Sequence, residues 1–213
     1  MSTTFEVYSP TSVIPSFNDI LLLSNRNLKE KLAKHDIYND YVIDVCIRKR
    51  LTDDFHDYID FDKSDMAIWS TVDEHYAWFT VSNTPGGCDA YIHKLGDDFE
   101  RERWEEEFEL NERAKAVESE LRKCLEKGFY WTFRRSAGQT AIVSLTYGLI
   151  AAAFAELTSG YVFSDDSAWD YSIFPATAKS FKLHYFDPQY SNSKYADWAS
   201  DCIAIIKNHK LVV

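Results

Sequence analysis

Apolar and polar positions alternate in some stretches of the chain and recur at helical spacing in others. Tyr41, Ile43, Val45 and Ile47 alternate with Val42, Asp44, Cys46 and Arg48. This period of two predicts a strand over Tyr41–Leu51 with the first set facing a core. Thr3–Tyr8, Met66–Val72, Tyr76–Ser82, Phe129–Arg135 and Tyr161–Ser164 also read as strands, with Asp73–His75 as a hairpin turn. Ser16 is a plausible N-cap, with Asp19 three residues on. The helix it starts carries Ile20, Leu21, Leu28 and Leu32 as an apolar stripe, and basic Lys31, Lys34 and His35 near its end.

From Asp97 to Lys127 the pattern predicts one long acidic helix, with Gly128 as its stop. Gln139–Thr158 predicts a second, nearly all-apolar helix ended by Gly160, and Ala176–Tyr185 and Ser193–Lys207 predict shorter ones. Strands and helices are interspersed without regular βαβ alternation, and no repeat or linker interrupts them. The expectation is a single α+β domain over residues 1–213. Its sheet should be mostly antiparallel, with a buried helix at about 139–158 and a long acidic helix at about 97–127.

The apolar helix raises the question of a membrane. Ala141–Ala155 carries no charge before Glu156 interrupts it, but spanning takes about 20 apolar residues. A buried core helix is the better reading. Cys46, Cys88, Cys124 and Cys202 form no CxxC pair, which speaks against a zinc ribbon and favours free thiols. MSTTFEVYSP has neither the basic nor the apolar region of a secretory signal. The expected compartment is the cytoplasm.

Charge changes the picture more. The formal net charge is −11. Between Asp53 and Glu112, 18 acidic residues stand against four basic ones, leaving the rest of the chain slightly basic. Such a middle segment repels nucleic acid and anionic membranes and allows a cationic protein partner. Within it, Asp57, Asp60, Asp62 and Asp65 form an acidic link that lacks the register of an EF-hand and reads as a solvated loop. The run RERWEEEFELNER is either a solvated helix face or an interface. The interface reading uses Glu105, Glu106, Glu107 and Glu109 for charge, and exposed Trp104 and Phe108 as anchors.

Candidate chemistry is sparse. Asp165, Asp166 and Asp170 follow a strand and could hold a divalent cation for a hydrolase or transferase, although turn formation and capping explain them as well. Arg134 and Arg135 precede a helix and could hold an anion, or pair with the turn from Asp165 to Asp170. The six histidines are scattered without HxxxH or HExxH spacing, and no G-x-S-x-G elbow is present. No cofactor is called for.

The run WTFRRSAG, the apolar helix after it, and LTSGYVFSDDSAWD resemble small immunity proteins of bacterial polymorphic-toxin systems, of the contact-dependent inhibition or type VI secretion kind. The resemblance covers about Trp131–Asp170. It implies a non-enzymatic inhibitor that binds a cognate toxin domain, frequently a basic nuclease, and blocks its active site. The acidic, aromatic-containing surface would then be the contact. The alternative is the metal-dependent enzyme built on Asp165, Asp166 and Asp170.

Overall fold

The computed structural model describes residues 2–51, 56–69, 74–95 and 98–208, without the side chains of residues 98 and 99. In chain order the elements are β1 (Thr3–Tyr8), α1 (Phe17–Ala33), β2 (Ile43–Arg50), β3 (His56–Ile59), β4 (His75–Val81), β5 (Cys88–Lys94), α2 (Asp98–Leu110), α3 (Glu112–Ala116) and α4 (Glu118–Leu125). They continue with β6 (Phe129–Arg135), α5 (Ala141–Thr158), β7 (Tyr161–Phe163), a short 3-10 turn (Tyr171–Ile173), β8 (Ala176–Thr177), α6 (Ala178–His184) and α7 (Ser193–Asn208). The strands form one sheet in the order β3-β2-β4-β5-β6-β1-β7-β8, and every described pairing is antiparallel. The fold is a single-sheet α+β architecture, as the interspersed pattern predicts.

Register follows the alternation. Ile43, Val45 and Ile47 of β2 oppose Val81, Phe79 and Ala77 of β4, all buried. The same face carries Phe133 and Trp131 of β6 and Phe5 of β1. Against these rings packs α5, with Phe154 at 4.8 Å from Phe133 and 5.4 Å from Trp131, and Tyr147 at 4.7 Å from Phe5. The helix is apolar enough in length and composition to cross a membrane, yet its sides are buried within the fold, with α1, α6 and α7 packed around it. The Ser16 hydroxyl accepts from the Asp19 amide and caps α1 as expected.

Several expectations shift. The long acidic helix is three pieces: Asn111 Oδ1 accepts from the Arg113 and Ala114 amides, which restarts the chain as α3, and Val117 leaves helical geometry before α4. Asp97 lies outside the described residues. Met66 makes only an isolated bridge with Ser16, and residues 67–69 are irregular. The remainder of that expected strand, and Asp73 of the expected turn, lie outside the described residues. Conversely, residues 56–59 of the expected acidic loop are strand β3, and β5 is a strand the alternation did not announce. Among the described residues the four cysteines are free, three of them buried.

One close approach fixes α6 against α5. The fully buried Tyr185 ring packs against the helix at Gly148, and its hydroxyl donates to the Ser144 carbonyl. A Cβ at position 148 would sit 2.4 Å from the ring. Gly148→Ala gains up to ~1 kcal/mol of helix propensity. The ring is held by a hydrogen bond and cannot retreat, so overpacking, about 1–3 kcal/mol, outweighs that gain. Urea unfolding should show a net loss of stability; an equally stable variant would refute the constraint.

Candidate functional site

The face of the sheet opposite α5 is covered only in part. Alternation along β1 turns Glu6 and Tyr8 to this side, and α2 lies across them. Trp104 meets Tyr8 edge-on at 5.0 Å and Phe163 of β7 at 4.8 Å, and Phe108 packs beside Trp104 at 5.7 Å. Trp104 is 0% exposed and Phe108 5%. The expectation that these two rings stand on the surface as anchors is therefore corrected. Their spacing of four residues puts them on one side of α2, and that side is the core.

The outward side of α2 carries exposed Glu102, Glu105, Glu106 and Glu109. Glu105 accepts both hydrogen bonds of the Arg122 fork at 2.7 and 2.8 Å, and these hold its carboxyl below the usual range. Arg122 also pairs with Glu118 and lies 4.7 Å over the Phe108 ring. Glu107 is turned toward the 3-10 turn, where it accepts from the Tyr171 hydroxyl at 2.6 Å and from Asn111 Nδ2 at 3.1 Å.

Beneath this ridge sits a largely buried ionic cluster that opens to solvent at Asp165. Arg103 donates to both oxygens of Glu6, at 2.6 and 3.1 Å, and pairs with Glu100 at 2.9 Å and Asp165 at 3.4 Å. The Tyr8 hydroxyl donates to Glu6 at 2.7 Å, and the Tyr130 hydroxyl to Glu100 at 3.2 Å. Burial opposes the Arg103 charge, but the Glu6 hydrogen bonds and the neighbouring anions overcome it and hold the guanidinium firmly protonated. Burial pushes the Glu6 carboxyl up while Arg103 pulls it the other way. The Tyr8 phenol is raised well above its ordinary range by burial and then by Glu6.

This cluster corrects the expected partner of the Asp165 turn. Arg134 pairs with Asp89 of β5 at 2.7 Å, and Arg135 donates to Thr3 Oγ1 at 3.2 Å over the Tyr147 ring. The cation that reaches Asp165 is Arg103. Asp166 accepts from Ser164 at 3.1 Å, and burial raises its carboxyl. Asp170 caps the 3-10 turn through the Ser172 amide and accepts from Asn192 at 2.6 Å. The three carboxylates thus serve three separate tasks. Among the described residues no group of three His, Cys, Asp or Glu converges as a metal site.

Asp57, Asp60, Asp62 and Asp65 are exposed; Asp57 lies on edge strand β3, whereas the turn from Asp62 to Asp65 sits against the start of α1, where the Phe17 amide donates to the Asp65 carbonyl. Asp62 and Asp65 close a turn on each other's backbone and on Ser64. Strands β2, β4 and β5 lie between β3 and the β6-β1-β7 region that α2 covers, which separates Asp57 from α2 by about 20 Å at ordinary strand spacing. They do not form one surface.

Between them lies an open basin of about 340 Å³ that the sequence reading missed. Arg48 lies 5.2 Å over Tyr58 and 4.7 Å over Trp78. Tyr76 stacks on Tyr91 at 5.7 Å and is hydrogen-bonded to His56 Nδ1 at 3.0 Å. The Tyr91 hydroxyl donates to Asp89, and His93 stacks on Tyr130 at 5.0 Å. The available signal was the polar half of each alternating strand. That half names the residues but not which strands stand side by side.

Replacing Arg103 by Met leaves buried Glu6 and half-buried Glu100 without their cation. A loss of about 3–5 kcal/mol is expected in urea unfolding, because an orphaned buried charge costs more than its pair contributed. A loss below about 1 kcal/mol would show that the cluster does not hold α2 down. A scan of protein-family models, a search of curated proteins and a search of solved structures each found no match to this chain.

Proposed function

We propose that this chain is an immunity-type inhibitor, a non-enzymatic cytoplasmic protein that neutralises a basic toxin domain through the carboxylate ridge of α2. The observation that carries the reading is the construction of that ridge. Seven of the thirteen α2 residues are acidic and two are basic. Glu102, Glu106 and Glu109 point outward from a helix whose inner side is held by Trp104 and by the Arg103 cluster. A fixed row of carboxylates costs little side-chain or helix ordering when a cationic surface arrives, and it steers that surface during approach. A nuclease domain, basic because it holds nucleic acid, fits as the partner. Asp57, Asp60, Asp62 and Asp65, on β3 and in the turn after it, extend the negative field but do not belong to α2.

The test is association kinetics with a toxin domain encoded beside this chain. Glu102, Glu106 and Glu109 changed together to Gln should lower the association rate about tenfold at low salt and flatten its salt dependence. The dissociation rate should change less. An association rate equal to that of the unaltered protein would overturn the ridge as the contact.

A further inference from the structure

On the helical side of the molecule, away from α2, a cleft of about 440 Å³ opens between α1 and α6 over Leu149 of α5. Two lysine pairs, each spaced three apart, border it: Lys31 on α1 with Lys34 at its C-cap, and Lys179 and Lys182 on α6. In a chain of net charge −11 this convergence of four ammonium groups runs against the overall balance.

Three carboxylates, Glu156, Glu30 and Asp187, lie near these lysines and offset part of the charge. Glu156 takes Lys182 but also pairs with Arg26 at 3.4 Å, and Glu30, on the rim, lies 3.9 Å from the same Arg26. Lys34 and Lys179 are exposed and have no carboxylate partner among the described residues. Lys31 is buried, and its Nζ donates to the carbonyls of Lys182 and Tyr185 at 2.9 and 2.7 Å. Burial, and then the Lys34 charge, lower its pKa to about 8.

A second observation points the same way. Asn27 lines the cleft and is 3% exposed. Its Oδ1 accepts from Lys182 at 3.2 Å, but its Nδ2 has no acceptor among the described residues. A buried amide donor without a partner is rare and calls for an acceptor. Phosphate oxygens supply many acceptors and the charge that the lysines lack. The volume lies within the range of about 300–1,000 Å³ usual for small-ligand pockets. Leu149 and Leu183 offer apolar wall to the carbon part of an ester.

We infer that the α1/α6 cleft is a binding site for a small polyanion of the phosphate class, held by the two lysine pairs and Asn27. The site is independent of the ridge on α2, so the failure of either reading leaves the other standing.

Calorimetry of the whole protein with tripolyphosphate tests it, with inorganic phosphate as the weaker probe. One site per chain is expected, and the double variant Lys34→Gln with Lys179→Gln should weaken it at least tenfold. Both lysines are exposed, so the thermal midpoint without anion should stay unchanged. Asn27→Leu, which removes the amide donor and leaves all four lysines, should weaken binding severalfold. Lys123→Gln with Lys127→Gln, two exposed lysines beyond the cleft, should leave affinity within twofold. Absence of binding to the unaltered protein would overturn the inference. So would an equal loss from the Lys123 and Lys127 pair, because the anion would then be reading diffuse charge.

Discussion

An eighteen-residue helix with a single charged side chain must be covered on nearly every side, and most of this architecture is the cover for α5. One side of the helix lies on Phe5, Trp131 and Phe133 of the sheet, and α1, α6 and α7 close the others. Large rings supply much of the fit. Tyr147, Phe154 and Tyr185 are all fully buried, and Gly148 is the gap that admits the last of them. Burying a large apolar side chain contributes about 1.5–3 kcal/mol. The interior around α5 is therefore the dominant source of stability, and the ionic features are arranged on its outside.

The opposite face of the sheet has no such helix. Here α2 covers only the β6-β1-β7 region, and it is held by a different device: two buried rings beside one half-buried arginine. A buried ion pair adds little net stability when compared with apolar packing, but it is strict about geometry. Arg103 reaches β1 through Glu6, its own helix through Glu100 and the loop after β7 through Asp165. That fixes the rotation of α2 about its axis. Trp104 and Phe108 are thereby turned inward and Glu102, Glu106 and Glu109 outward.

What could be read from the chain was whatever local periodicity controls. The strands β1, β2, β4 and β6 and the helices α1 and α5 follow from alternation, capping and apolar run length. β3 was hidden because Asp57 and neighbouring acids outweighed the two-residue period of Tyr58 and its neighbours. In β5, Ala90 offers little apolar contrast and Asp89 is a poor strand former on its own; its burial is made possible by Arg134, 45 residues away. The exchange of arginines at Asp165 was illegible for the same reason. Arg134 and Arg135 are near that turn along the chain, whereas Arg103 is near it only once β1 lies between β6 and β7. The inward placement of Trp104 and Phe108 was the one feature of the candidate surface that spacing alone could have supplied.

The uneven charge of the sequence acquires a spatial meaning in the fold. The acidic middle of the chain supplies α2 and β3, and the more basic remainder supplies α1 and α6. The alternation of β1 places α2 and the helical layer on opposite sides of the sheet, since Glu6 and Tyr8 face α2 while Phe5 faces α5. The molecule therefore carries a carboxylate ridge on one side and a lysine-lined cleft on the other, with the apolar layer of α5 and the sheet between them. Charges separated by more than a Debye length, about 8 Å at physiological salt, act almost independently. A cationic protein steered to α2 would meet little opposition from the lysines behind the sheet, and an anion in the cleft would be sheltered from the glutamates of α2. Both charge systems can coexist in so small a chain because α5 and the sheet keep them apart.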